Sequence, residues 1–246
     1  MLKKTILITG VGKGFGRCLF ESLSDRYTII GVTRSQEDAA DLKRYCLDNN
    51  LHAEILTLDV TDYGLVVNLL TPILDKYKDT LWGLINNAGV RCRKSLEQLT
   101  VDEIKGVSEV NLFAPIFLTK MFLPYLKAGS SGRIINISSI LSNKALKDLS
   151  AYSVSKAGLD GFTRSVAVEY AEYGVTCNSI LAGFCKTSYF DKFKKNEDLY
   201  QFTIDRIPMR RWGESNEIVG LCEFILSDAA GYINGASIPV DGGWLA

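Results

Sequence analysis

Short runs of apolar and β-branched residues alternate along the whole chain with longer stretches in which apolar positions recur at helical spacing. Strands are predicted over 4–9, 28–33, 54–58, 82–86, 133–137, 175–180 and 236–240, and helices over 15–25, 36–49, 63–77, 101–128, 151–172 and 215–227. Short apolar runs bounded by turn residues suit strands buried on both faces, and the helical stretches between them supply the crossovers that parallel strands need. The pattern therefore predicts one α/β domain over residues 1–246: a doubly wound, Rossmann-type, seven-stranded parallel sheet with helices on both faces. No Pro, Gly or Ser-rich linker divides it, and nothing repeats beyond the βα unit. The one long segment without a clear element runs through 183–213, and its part from about 184 to 212 reads as a substrate lid. Tyr189, Phe190, Phe193, Tyr200 and Phe202 would give a lid helix its apolar face.

Composition narrows the chemistry. Among 246 residues, 28 basic side chains balance 28 acidic ones, so no excess positive charge is present to neutralise phosphates, and nucleic-acid binding is not expected. Cys18, Cys46, Cys92, Cys177, Cys185 and Cys222 form no CxxC pair and have no nearby His, so neither a disulfide framework nor a metal site is expected. Cys92, between two arginines, reads as an ordinary loop thiol. His52 is the single histidine and lies near the start of a strand, which suggests a structural role. Acid–base chemistry must then fall to another residue type. The basic opening leads into an apolar run too short for a signal sequence, and no apolar run approaches membrane-spanning length, so the expected address is the cytoplasm.

The first strand runs into Thr9-Gly10-Val11-Gly12-Lys13-Gly14-Phe15-Gly16 and then a helix. Glycines there let the backbone turn sharply and approach an anion at the helix N-terminus, the arrangement that holds a dinucleotide pyrophosphate. Phe15 stands where the usual fingerprint has glycine, so the spacing is Thr-Gly-x-x-x-Gly-x-Gly. After the second strand, at Thr33-Arg34-Ser35, no acid is available for the adenosine ribose. Arg34, with Lys13 from the first loop, can instead pair with a 2′-phosphate, so NADP(H) is favoured over NAD(H).

These residues resemble the short-chain dehydrogenase/reductase family in its compact single-domain branch, and the match spans almost the whole chain. It includes Asp59-Val60 after the third strand, Asn86-Asn87-Ala88-Gly89 after the fourth, Asn111, Ser139, Tyr152-x-x-x-Lys156 and the ending from Asn234 to Gly243. The resemblance implies that Asp59 and Val60 lie at the adenine, that Asn87, Ala88 and Gly89 support the cofactor, and that Asn111, Ser139, Tyr152 and Lys156 form the catalytic set. It places Tyr152, Lys156, Gly183 and Thr187 at the nicotinamide half, gives Asn111 a water that relays protons from Lys156, and implies a homotetramer or dimer. The chain departs from the family at Ala182-Gly183-Phe184, where Pro-Gly is usual. Loss of that Pro removes a fixed φ and is expected to loosen the entry to the lid.

Tyr152 and Lys156 stand four apart on a predicted helix and so share a face. An ammonium beside a phenol favours phenolate and brings it nearer working pH, where general acid–base transfer is efficient. Ser139 would hold the substrate oxygen. The expected reaction is hydride transfer between NADPH and the carbonyl or secondary alcohol of a small substrate, with Tyr152 as general acid or base. Arg91, Ser139, Ile140, Leu141 and Tyr152 are the expected substrate contacts. Arg91, Arg93, Lys94, Lys144 and Lys147 would form a basic rim for a carboxylate or phosphate, against the plainer reading of solvated loop cations.

Within the family the pattern is most similar to the 3-oxoacyl-carrier-protein reductases and their relatives acting on free carbonyls. Ser130 and Tyr173 occupy places where carrier-protein reductases tend to carry arginines, which argues for a free substrate, although Arg133 and Arg164 would be substitutes. The alternatives are a 3-oxoacyl-carrier-protein reductase and, in another class, a nonenzymatic NADP-binding sensor or scaffold. No nucleic-acid, membrane or metal partner is expected.

Overall fold

The computed structural model describes residues 3–187 and 189–246. Seven strands form one parallel sheet in the order β3-β2-β1-β4-β5-β6-β9: β1 (Thr5–Thr9), β2 (Thr28–Thr33), β3 (Ala53–Thr57), β4 (Leu81–Asn86), β5 (Gly132–Ser139), β6 (Val175–Ala182) and β9 (Ser237–Val240). Residues 5–9 and 81–86 are buried on every position, as strands covered on both faces must be. The expected fold class is therefore the observed one, with strand bounds within a residue or two of those read from the sequence.

One face of the sheet is covered by α1 (Gly14–Leu23), α2 (Gln36–Asp48) and α9 (Val219–Leu226), whose Leu19, Phe20, Leu42 and Ile225 pack with Ile6, Ile8 and Ile135 of the sheet. The other face is covered by α3 (Tyr63–Lys76), α5 (Ala114–Ala128) and α6 (Ser150–Tyr170), which bring Leu70, Phe122 and Val166 against Leu7, Leu84 and Ile134. Local chemistry starts these helices. Ser35 and Asp62 accept from the backbone N–H three residues on, and Thr100 with Glu103 forms a capping box at α4 (Val101–Ser108).

The helix expected over 101–128 is continuous but not uniform. A π turn at Glu109–Phe113 joins α4 to α5 and surrounds Asn111. Contrary to the sequence expectation, Val101–Ala128 is long and apolar enough to cross a membrane by length and composition. Leu118, Phe122 and Leu126 of this stretch are buried against the sheet, the placement of a core helix.

Residues 183–213, where no element was expected beyond a lid helix, hold two short helices and half of a ladder. Cys185–Lys186 (β7) pairs in parallel with Gly213–Glu214 (β8), and α7 (Phe190–Lys194) and α8 (Glu197–Arg206) lie between them. Asn196 caps α8 by accepting from Leu199 N. A third apolar cluster holds this segment down: Phe193, Ile207 and Trp212 pack with Ile140, Leu141, Leu149, Leu181 and Trp244. Phe202 does not join the apolar face expected of it and stays 37% exposed.

Candidate active site

The strand order reverses at β1 and β4, the topological switch point where open α/β sheets leave a crevice beyond the carboxyl ends of the strands. A cleft of about 440 Å³ lies there, lined by the glycine loop, the ends of β2 and β4 and Thr187. Gly10 and Gly14 have φ of +72° and +56°, a region that glycine enters without steric cost. A Cβ on Gly12 would come within 2.3 Å of Asp38 Oδ2, and one on Gly16 within 2.0 Å of the Gly10 carbonyl oxygen. Helix α1 begins at this loop with no side-chain cap and no acid in its first turn, so its leading N–H groups are left for an anion. The cleft thus fits a dinucleotide, whose pyrophosphate the loop and helix start would hold.

Thr9 and Gly16 do not line the cleft but build it. The Thr9 hydroxyl accepts from Asn87 N and Ala88 N, both at 3.0 Å, while Asn87 Nδ2 donates to the carbonyl oxygens of Thr9 at 2.8 Å and Gly10 at 3.1 Å. Val60, Asn87, Ala88 and Gly89 line the cleft, and Phe15 reaches both this cleft and the cavity beside it.

At the adenosine end, Thr33, Arg34, Ser35 and Asp59 line the cleft. The two cations expected for a 2′-phosphate each stand near an acid: Arg34 Nη1 is 3.8 Å from Asp59 Oδ2, and Lys13 Nζ is 3.7 Å from Asp38 Oδ1. Their side chains remain 65% and 67% exposed, so both are open to an incoming anion. Asp38 was not among the expected site residues. The Ser35 cap places it, since Asp38 N donates to Ser35 Oγ at 3.1 Å, and the Ser-x-x-Asp spacing was the signal available in the sequence.

A second cavity of about 230 Å³ adjoins the first, sharing Phe15, Asn87, Gly89, Val90 and Thr187 with it. Ser139, Tyr152 and Lys156 meet in its wall with Arg91, Ile140, Leu141 and Gly183. Ser139 ends β5 in register with Ala182 of β6, while Tyr152 and Lys156 come from successive turns of α6. The Ser139 hydroxyl accepts from Leu141 N at 3.2 Å, and its side chain favours the ionised form of the Tyr152 phenol.

The electrostatics differ from the expectation that Lys156 lowers the pKa of Tyr152. Burial pushes the phenol above its ordinary pKa, and the influences opposing it are the Ser139 side chain and the charge on Arg91. Lys156 Nζ lies 5.9 Å from the Tyr152 ring centroid and donates instead to the Ile137 carbonyl oxygen at 2.7 Å. Burial lowers the Lys156 ammonium to about 8, with Asp160 acting in the opposite sense.

Asn111 is fully buried, and its side chain is committed to protein. Its Nδ2 donates to Val90 O at 2.8 Å and to Ser155 Oγ at 3.0 Å, while its Oδ1 accepts from Val90 N at 2.8 Å. Ser155 Oγ in turn donates to the Tyr152 carbonyl oxygen at 2.7 Å. The side chain therefore ties the strand β4 exit to the Tyr152 turn.

Loss of the Pro ahead of Gly183 does not produce the loose lid entry expected, because Phe184 is packed in place. Its ring sits 5.1 Å from Trp212, 5.0 Å from Trp244 and 6.1 Å from Phe193 between centroids, and its carbonyl oxygen accepts from Gly213 N at 2.9 Å. Gly183 allows this path, because a Cβ there would lie 2.6 Å from Asp241 Cα. Thr187 reaches the glycine loop, 3.3 Å from where a Gly14 Cβ would stand.

Of the expected basic rim, Arg91 lines the cavity, Arg93 Cζ lies 5.9 Å from the Phe193 ring centroid, and Lys94 pairs with Glu103. Lys144 and Lys147 are exposed loop cations. Ser130 and Tyr173 precede β5 and β6 and so stand at the strand starts, across the sheet from the cleft; Arg133, at the start of β5, stacks over Trp82 there. Within one chain these positions do not border the cavity. His52 Nε2 meets Tyr77 OH at 3.1 Å beside β3, the structural place expected of it.

Residues 10–245 match the family model described as enoyl-(acyl carrier protein) reductase. The chain is 34% identical over 242 residues to a 3-oxoacyl-[acyl-carrier-protein] reductase of Vibrio harveyi, covering 98% of this chain and 96% of the relative. It is 30% identical over 247 residues to a 2-dehydro-3-deoxy-D-gluconate 5-dehydrogenase of Bacillus subtilis, covering 99% and 95%. The crystal structure of a gluconate 5-dehydrogenase from Burkholderia cenocepacia, in complex with NADP and tartrate, superposes with a TM-score of 0.91 at 27% identity, covering 99% of this chain and 96% of that one. Glycine cradle, Ser139, Tyr152 and Lys156 occur together on a fold shared over nearly its full length, and this chain belongs to the short-chain dehydrogenase/reductase family of oxidoreductases.

Proposed function

We propose that the protein is an NADPH-dependent reductase that interconverts a carbonyl and a secondary alcohol on a small substrate, with Tyr152 as general acid and base. The observation that carries this reading is the meeting of Tyr152, Ser139 and Lys156 in a cavity that shares its wall with the dinucleotide-shaped cleft. A bound reduced nicotinamide supplies the hydride. Burial keeps the Tyr152 phenol protonated at neutral pH, so its hydroxyl is a proton donor for a carbonyl oxygen. Ser139, in the same cavity wall, is placed to hydrogen-bond the substrate oxygen beside that hydroxyl. Lys156, with one donor given to Ile137, keeps its others for ribose hydroxyls and is poised to return a proton to Tyr152. Asn111 is a positioning residue that fixes Val90 and the Tyr152 turn.

Arg34 and Lys13 support NADP(H) over NAD(H), since both reach the adenosine end with exposed charge. Residues 184–212 act as a lid, with Thr187 at the nicotinamide end of the cleft. The free thiols suit the reducing cytoplasm. Exposed Phe113, Val154 and Val168 support a homo-oligomer, a dimer or tetramer, that covers the π turn and α6.

The 34% identity to a carrier-protein reductase keeps one further reading in view, a 3-oxoacyl substrate on a carrier. NADPH oxidation on addition of an acetoacetyl thioester, run beside free ketones, keto sugars and diketones and repeated with NADH, separates the two. Activity confined to free carbonyls supports the small-substrate reading, and preferential turnover of the thioester replaces it with the carrier-bound one.

A further inference from the structure

The second cavity carries a charge imbalance that hydride chemistry alone does not require. Its lining contains two cations, Arg91 and Lys156, and no carboxylate. Lys156 already serves the Ile137 carbonyl. The titratable groups that act on Arg91 are Tyr152, Tyr189 and Arg93, with no Asp or Glu among them, and desolvation lowers its pKa. More than a third of its surface stays accessible, yet it sits in a concave wall with protein around it. A guanidinium in such a place keeps its donors available to an anion that enters the cavity.

Both ends of Arg91 are fixed. The preceding residue, Val90, is bonded through its N–H and its carbonyl oxygen to the Asn111 side chain, each at 2.8 Å. The guanidinium stacks on the lid residue Tyr189, with Cζ 3.5 Å from the ring centroid. Stacking uses the face of the group and leaves its in-plane N–H donors at the edge. Lys94, by contrast, is spent on Glu103 at the surface.

We propose that Arg91 anchors a carboxylate of the substrate, so that the reacting compound is a short keto acid or its hydroxy-acid counterpart. This rests on the reading of the second cavity as the site of carbonyl reduction. A planar guanidinium edge matches a carboxylate through two parallel N–H···O bonds. The volume of about 230 Å³ lies below the ~300–1,000 Å³ of ordinary ligand pockets, which favours a short acid over a long acyl chain. Ser139 and Tyr152 hold the carbonyl end, and Arg91 holds the other.

The test is calorimetric titration of the NADP⁺-loaded protein with acetoacetate, its methyl ester, malonate and inorganic phosphate, in wild type, Arg91→Gln and Arg91→Lys. In wild type the acid should bind roughly 10- to 100-fold more tightly than its ester, the worth of a charge-assisted hydrogen-bond pair. Arg91→Gln should erase that ratio, and Arg91→Lys should keep part of it. Equal binding of acid and ester by wild type overturns the proposal without reference to any variant. A ratio unmoved in Arg91→Gln that still binds NADP⁺ also overturns it, as does tighter binding of phosphate than of either carboxylate. Carbonyl reduction is judged separately by NADPH oxidation with neutral ketones. A protein that turns these over with no preference for acids loses the carboxylate anchor and keeps its chemistry.

Discussion

Lys156 Nζ donates to the Ile137 carbonyl oxygen at 2.7 Å, so the main chain of β5, rather than the phenol of Tyr152, holds the buried ammonium. Its pKa of about 8 lies below the usual lysine value of 10.5, so the folded protein binds fewer protons than the unfolded chain between those pH values. Stability linked to this group is therefore fully present above pH 10.5 and lost as pH falls through 8. Lys156→Met should be less penalised at pH 7 than at pH 10: the difference in urea midpoint between variant and wild type should grow with pH, by up to about 3 kcal/mol in free energy. A difference that is flat in pH would show that the ammonium is not buried as described.

The phenol of Tyr152 is pushed up by burial and held down by Ser139 and Arg91. Removing either opposing group should raise it further. Alcohol oxidation needs the phenolate, so in both Ser139→Ala and Arg91→Gln the rising limb of its pH–rate profile should move to higher pH. Profiles of kcat/KM against pH for the three proteins check this, and coincident limbs would remove both residues from control of Tyr152.

Arg34 stands at the adenosine end of the cleft with its charge open. Replacing it by Glu should weaken NADPH binding by roughly 10- to 100-fold, the worth of a charge-assisted contact plus the new repulsion, while NADH binding changes little. Fluorescence titration of both dinucleotides reads the ratio. The converse change, Asp38→Asn, releases Lys13 from its neighbouring acid and should strengthen NADPH binding.

The regular part of the fold was legible because the central strands are buried on both faces, which writes each of them as a short apolar run. The glycine loop, Ser139, Tyr152 and Lys156 were legible for a related reason, since each depends on local spacing. Residues 183–213 were not. Their helices are short and polar outside, and they are stabilised by Phe184, Trp212 and Trp244, partners that no local window contains. The stacking of Arg91 on Tyr189 joins the β4 exit to the lid, so the one cation of the expected rim that lines the cavity could be told from its neighbours only in three dimensions. The π turn around Asn111 likewise left no mark in the periodicity of a helix read as continuous. The electrostatic role given to Lys156 failed because helical spacing fixes which face a side chain occupies and not which carbonyl it meets.

In the proposed reaction, proton transfer by Tyr152 is coupled to hydride transfer from NADPH. Its most direct test is the rate of NADPH oxidation in Tyr152→Phe against wild type, with a carbonyl substrate from the panel above and with NADPH affinity measured on the same samples. The account predicts a fall of about 10²- to 10⁴-fold in rate with affinity retained. A variant that oxidises NADPH at the wild-type rate would contradict it.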